Sequence, residues 1–243
     1  MTHNDSMTVP RRSERPECRS TSRAARSPYL LGVLFSCLPA AALIVGGCSS
    51  TSPRNEQCFI LEAVRQGNPA RPISEGSLEV HRFSVDAGFA TKSLVYRLGE
   101  FRYEADYYRQ FLISPGTMIA ERTRDWLADS GLFGAVLPVG SRIVPDYTLE
   151  GNVIALYGDF VDESAPVAVM EIRSFLVENG KGRERVIFSQ TYKAASAVPS
   201  RATDDFIDAM NRSLVEILTR LEADLQEVLV GRTRPSSALW NSP

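Results

Sequence analysis

The residue with the clearest chemical assignment is Cys48, whose thiolate can take a diacylglycerol when it becomes a new N-terminus. Its surroundings fit that chemistry. Residues 1–28 carry six arginines against three acids, and Tyr29–Val45 is an uncharged run of 17 residues. Gly46-Gly47 then admits a narrow peptidase cleft, and Ser49-Ser50 follows the cysteine. A basic n-region, an apolar h-region and small residues at the cut make a secretory signal. The cysteine makes it a lipoprotein signal, so residues 1–47 are expected to be removed and Cys48 lipidated. Two other readings were weighed. One is an uncleaved membrane helix, for which 17 residues is close to the lower bound. The other is a Cys48–Cys58 disulfide.

No other group combines so readily into a reaction. His81 is the one histidine after the leader, on a stretch where Val80, Arg82 and Ser84 alternate with His81, Phe83 and Val85. A lone strand histidine without a nucleophile beside it reads as a rim residue. Asp159, Asp162 and Glu163 fall in a turn but lack the spacing of a calcium loop. Residues 48–243 contain no G-x-S-x-G, H-E-x-x-H, C-x-x-C or glycine-rich phosphate loop. The expectation is a non-catalytic domain with no metal and no cofactor. A lipid-anchored hydrolase depending on His81 is the remaining enzymatic reading.

The elements around these residues are those of one domain. The whole chain carries a formal charge of −2, and losing three more arginines than acids with the leader leaves about −5. A mildly acidic domain without a basic run is a poor nucleic-acid binder. Residues 48–57 form a lipidated cysteine and polar tether; the nine residues after Cys48 reach about 30 Å at full extension. Strands are expected at Cys58–Val64, Leu78–Val85, Ser93–Leu98, Phe101–Tyr108, Tyr147–Tyr157, Pro166–Glu178 and Arg185–Ala194. Asn179-Gly180-Lys181-Gly182 should close the last hairpin.

A first helix is expected to start at Ser114-Pro115, with serine capping and proline at N1, and to stop at Gly131. The second shows an unbroken apolar stripe: Phe206, Met210, Leu214, Ile217, Leu221, Leu225 and Val228, widened by Ile207, Leu218 and Leu229. Thr203 is its expected N-cap. The order predicts an α+β domain over residues 58–230, a largely antiparallel sheet with two helices packed on one face. Residues 231–243 read as a disordered tail.

The ordered set of motifs resembles the ABC-type transport auxiliary lipoproteins that work with MCE-domain proteins, the group including the paraquat-inducible operon's lipoprotein. The resemblance covers about residues 58–229. It runs through Phe59-Ile60-Leu61, Ser93-Leu94-Val95-Tyr96-Arg97, the tyrosines Tyr103, Tyr107 and Tyr108, and Ser114-Pro115. It continues through Ser130-Gly131-Leu132-Phe133-Gly134-Ala135-Val136, Asp146-Tyr147-Thr148-Leu149-Glu150-Gly151, Asp159-Phe160 and the long last helix. Phe111 stands where members often carry tryptophan, and Ser114-Pro115 where a double proline is common.

The resemblance implies a membrane-tethered auxiliary or docking subunit of a lipid transport system of the cell envelope. An MCE-domain protein and an ABC permease with its ATPase would be its partners. Ser49 after the cysteine, in place of aspartate, favours the outer membrane with the domain in the periplasm. The surface expected to meet the partner is Tyr96, Arg97, Tyr107, Tyr108 and Phe111. The alternative is a structural lipoprotein of an outer-membrane assembly or export machine.

Overall fold

The computed structural model describes residues 55–69, 72–180 and 182–233. In chain order these residues form β1 (Gln57–Phe59), β2 (Ser74–Val80), β3 (Ser84–Val85), β4 (Ser93–Arg97) and β5 (Tyr103–Phe111). Helix α1 (Pro115–Ser130) and β6 (Phe133–Val136) follow. Then come β7 (Tyr147–Asp159), β8 (Val167–Gly180), β9 (Arg183–Ala197) and α2 (Thr203–Thr233). This is the expected α+β domain, with one nine-stranded sheet and both helices sharing one core.

Strands β7, β8 and β9 are the frame, paired antiparallel along nearly their whole lengths. Side chains of a strand alternate between faces, so Leu149 and Val153 of β7, Ile172 and Leu176 of β8 and Tyr192 of β9 all point to the helices. The stripe of α2 packs on β8 and β9, with Leu214, Ile217, Leu221 and Leu225 essentially inaccessible. Each such side chain stabilises the fold by roughly 1.5–3 kcal/mol on burial. The other edge of β7 is shared by three short parallel partners. β2 pairs at its start, β3 in the middle and β4 at its end. Thirteen residues at about 3.3 Å each make β7 a rod of about 40 Å, so the domain has two well-separated ends.

Several expected elements differ in their bounds. The expected strand Cys58–Val64 is a strand only to Phe59, because side chains of the helices take the next amides: Leu61 N–H points at Met118 Sδ and Glu62 N–H donates to Asn211 Oδ1. The expected strand Leu78–Val85 breaks after Val80. There Phe83 leaves the ladder, donates its N–H to Gly116 O at 3.3 Å and lays its ring against the bare Cα of Gly151.

Ser114 precedes α1, but its hydroxyl engages Thr117 Oγ1 at 2.9 Å and the Arg82 guanidinium, so it caps no backbone amide. Gly131 ends α1 with φ 70°, as a glycine stop requires. Helix α2 takes its first turn from the Ala202 carbonyl, which accepts from Phe206 N–H, so Thr203 is already helical. It also runs to Thr233, three residues into the expected tail. The rest of that tail, Cys48 and residues 1–54 lie outside the described residues.

The two helices are tied by one carboxylate. Glu222 of α2 accepts from Trp126 Nε1 of α1 at 2.7 Å and from both arms of Arg65 at 2.8 and 2.9 Å. This bond holds the Arg65 guanidinium above its ordinary pKa, against its partial burial. The chain after β1 is thereby fixed across the helix pair.

Candidate functional site

The irregular part of the domain is the hairpin of β4 and β5. Its turn closes through Leu98 N–H to Arg102 O at 2.9 Å and carries Phe101 at the tip, 88% exposed. Higher up, the register jumps. Ser93 pairs with Gln110 and Val95 with Ala105, so one residue of β4 faces four of β5. The extra residues form a bulge, a device that re-aims side chains. Asp106 locks it: one carboxylate oxygen accepts from Tyr108 and Arg109 N–H at 2.8 and 3.0 Å, the other from Arg109 Nη1 at 3.2 Å. The bulge projects Tyr107, 71% exposed, with Tyr108 edge-on at a centroid distance of 5.1 Å.

On the helix side of the same hairpin lies a cavity of about 320 Å³. Its floor is aromatic: the Tyr96 ring meets Phe160 at 5.6 Å and Phe206 at 5.4 Å. Gly158 lies beneath them, and a Cβ there would come within 2.6 Å of Phe160 and 2.9 Å of Phe206. The rim carries Arg102, Arg109 and Arg201 from three separate segments, with Glu163. Glu163 is ion-paired with Arg201, and Arg102 stands 4.0 Å from Glu104. Burial pushes the Tyr96 phenol up to about 12, helped by Asp106 and opposed by Arg109, so it stays a neutral hydroxyl. Donors over an aromatic floor suit an anionic or amphiphilic ligand.

The five residues expected to form one partner surface are dispersed. Tyr96 is the cavity floor. Arg97 points to the opposite face of the sheet, paired with Asp159 at 3.6 Å, since neighbouring strand residues face opposite ways. Tyr107 and Tyr108 stand on the bulge. Phe111 is a core residue, 3% exposed, and offers no surface, because β5 turns inward there beneath β1.

His81 lies exposed between Glu79 at 3.4 Å and Glu150 at 3.7 Å. Of the three acids expected in one turn, Asp159 closes β7, paired with Val167 of β8, and only Asp162 and Glu163 lie in the turn; their partners are separate, Arg97 for Asp159, Ser164 for Asp162 and Arg201 for Glu163. Among the described residues no three His, Cys, Asp or Glu side chains gather to hold a metal ion. Phe101, Phe160, Phe206 and the three rim arginines were not legible as a group, since only the fold brings them together. The D-Y-Y-R run of the bulge was the one local signal.

The far end of β7 carries a second exposed apolar group. The connection from β6 to β7 presents Val139, Ile143 and Val144, the last 83% exposed. Its base is firm. Asp146 accepts from Ser77 N–H at 2.8 Å and from the Ser77 hydroxyl at 2.9 Å, and Asn179 Nδ2 donates to Pro145 O at 3.0 Å.

With this geometry in place, comparisons place the fold. Protein-family models give no match, and neither do curated proteins. Among solved structures, XCC0632 from Xanthomonas campestris, described under the family DUF330, superposes with a TM-score of 0.61 at 20% identity, covering 74% of this chain and 97% of that one. The two share a fold. Weaker overlaps include protein CT253 from Chlamydia trachomatis, with a TM-score of 0.45 at 8% identity over 65% of this chain and 99% of that one. Lipoprotein GNA1162 from Neisseria meningitidis gives a TM-score of 0.34 at 14% identity over 61% and 99%. No helix of the described residues is long and apolar enough to cross a membrane.

Proposed function

We propose that this chain is a lipid-anchored, non-catalytic docking subunit of an MCE-type ABC transport system that moves lipid across the cell envelope. The observation that carries the reading is the lipoprotein leader ending at Cys48, followed after a nine-residue polar stretch by a domain with a cavity lined by aromatic rings and arginines. Several acyl chains on one residue, at about 0.8 kcal/mol per buried methylene, hold such a domain on a bilayer almost permanently. A short tether suits a subunit that works beside a membrane assembly. The resemblance set out above supplies the partner, an MCE-domain protein with its permease and ATPase. Ser49 directs the anchor to the outer membrane and the domain to the periplasm.

The partner meets the end of the domain away from the tether. There Val139, Ile143 and Val144 form an aliphatic surface on a hydrogen-bonded base, the composition of a dry protein contact. Affinity purification of the tagged full chain from detergent-solubilised envelopes tests the reading. Recovery of an MCE-domain protein, reduced at least tenfold by Val144→Asp with Ile143→Asp, supports it. Recovery of an outer-membrane barrel instead would make the chain a structural lipoprotein of that assembly.

A further inference from the structure

We infer that the corner formed by the β4–β5 turn and bulge is a membrane-seating surface. Phe101, Tyr107 and Tyr108 enter the interfacial layer of the bilayer that holds the anchor, and Arg102, Arg109 and Arg201 take its lipid phosphates. The inference rests on Cys48 being lipidated and adds to it a defined orientation of the domain.

Position is the first argument. β1 joins β5 in parallel register, with Gln57 opposite Arg109, so the chain enters the domain directly beside the Tyr107–Tyr108 bulge. Gln57 lies nine residues after Cys48, so the two can be at most about 30 Å apart. The corner therefore stays within reach of the headgroups at all times. The loop with Val144 lies about 40 Å away along β7.

Chemistry is the second argument. Rings with a polar tip are at home where hydrocarbon meets water, and tyrosine is enriched at that depth. Phe101 and Tyr107 are almost fully presented to solvent, at 88% and 71%. The phosphates need cations at the same level, and guanidinium groups bind them with two parallel hydrogen bonds. Arg102 follows Phe101, Arg109 follows Tyr108, and both reach the rim of one cavity with Arg201. Arg102 and Arg201 keep two-thirds of their side-chain surface exposed.

Preorganisation is the third argument. The Asp106 carboxylate holds the bulge from inside, with its two amide contacts and its ion pair to Arg109. The tyrosines are thus presented by a fixed frame, so little ordering is needed on contact.

The test uses the lipidated full chain in vesicles of phosphatidylcholine and phosphatidylglycerol, in a Trp240→Phe background where Trp126 is buried. Tryptophan is placed by Phe101→Trp, Tyr107→Trp or Val144→Trp, and quenching by lipids brominated near the carbonyls is read. The expected result is at least threefold stronger quenching at positions 101 and 107 than at 144. Equal quenching at all three positions, in protein that floats with the vesicles, would overturn the seating and leave the anchor standing. Burial of positions 101 and 107 only on adding a co-purified protein would assign the corner to that partner and overturn it too. Protein that does not float removes the anchor and the seating with it.

Discussion

Two exposed apolar regions among the described residues stand near opposite ends of β7 and are built from different materials. The near corner, beside the tether, combines aromatic rings with arginines on a bulge that a buried-side carboxylate holds in shape. The far loop presents Val139, Ile143 and Val144 around one exposed arginine, Arg142, is bracketed by Pro138 and Pro145, and is pinned at its base by Asp146 and Ser77. Rings and guanidinium groups tolerate a surface that is half wet and charged. Valine and isoleucine gain only where water is fully excluded. The contrast supports the two proposals, a lipid interface for the near corner and a protein contact for the far loop.

That contrast assumes that one core carries both ends, and the largest effect tests it. Leu214→Ala in the middle of the α2 stripe should cost about 3 kcal/mol, from a range of roughly 2–5. Denaturant titration should show one transition with both ends lost together; two transitions would divide the domain. Next, Gly158→Ala drives a methyl into the Phe160 and Phe206 rings. It should cost about 1–3 kcal/mol. It should change the aromatic near-ultraviolet dichroism of the near corner while leaving recovery of the far-loop partner unchanged.

A smaller effect is read by pH at the far end. The Ser77 amide and hydroxyl hold the Asp146 carboxyl below its ordinary pKa at the far end. Burial acts against Glu178, but Arg232 and Arg185 still hold it below the usual range. Groups with a depressed folded pKa contribute stability above their unfolded pKa, and that contribution is lost as pH falls through the folded value. Stability should therefore fall below about pH 4. Asp146→Asn should flatten that fall and lower stability at neutral pH, read by urea midpoints across the acid range. The smallest effect belongs to the surface. Tyr107→Ser with Tyr108→Ser should change stability by under about 0.5 kcal/mol, since little packing is lost. A large loss there would show that the bulge is structural and would undo the contrast.

Much of the frame could be read before the fold was known. The apolar stripe of α2 and the long strand runs expected at Tyr147–Tyr157 and Pro166–Glu178 are local patterns, and the structure has strands there with ends shifted by one or two residues. The Gly131 stop was equally local. What could not be read depended on distant partners. Phe83 leaves its strand only because Gly151, far along the chain, has no side chain to stop it. Leu61 leaves the sheet because Met118 and Asn211 stand nearby. Phe111 looked like Tyr107 in the sequence, yet four bulged residues turn one inward and the other out. The rim arginines come from positions 102, 109 and 201, and no spacing rule joins them.

Purification of the tagged full chain from solubilised envelopes, with mass spectrometry of what accompanies it, bears most directly on the central claim of a lipid-anchored docking subunit. The expected result is a diacylated Cys48 at the N-terminus and an MCE-domain protein with ABC components, depleted by the far-loop aspartate pair and by Cys48→Ala. An unprocessed N-terminus, or a lipidated chain recovered alone under conditions that keep such assemblies intact, would contradict it.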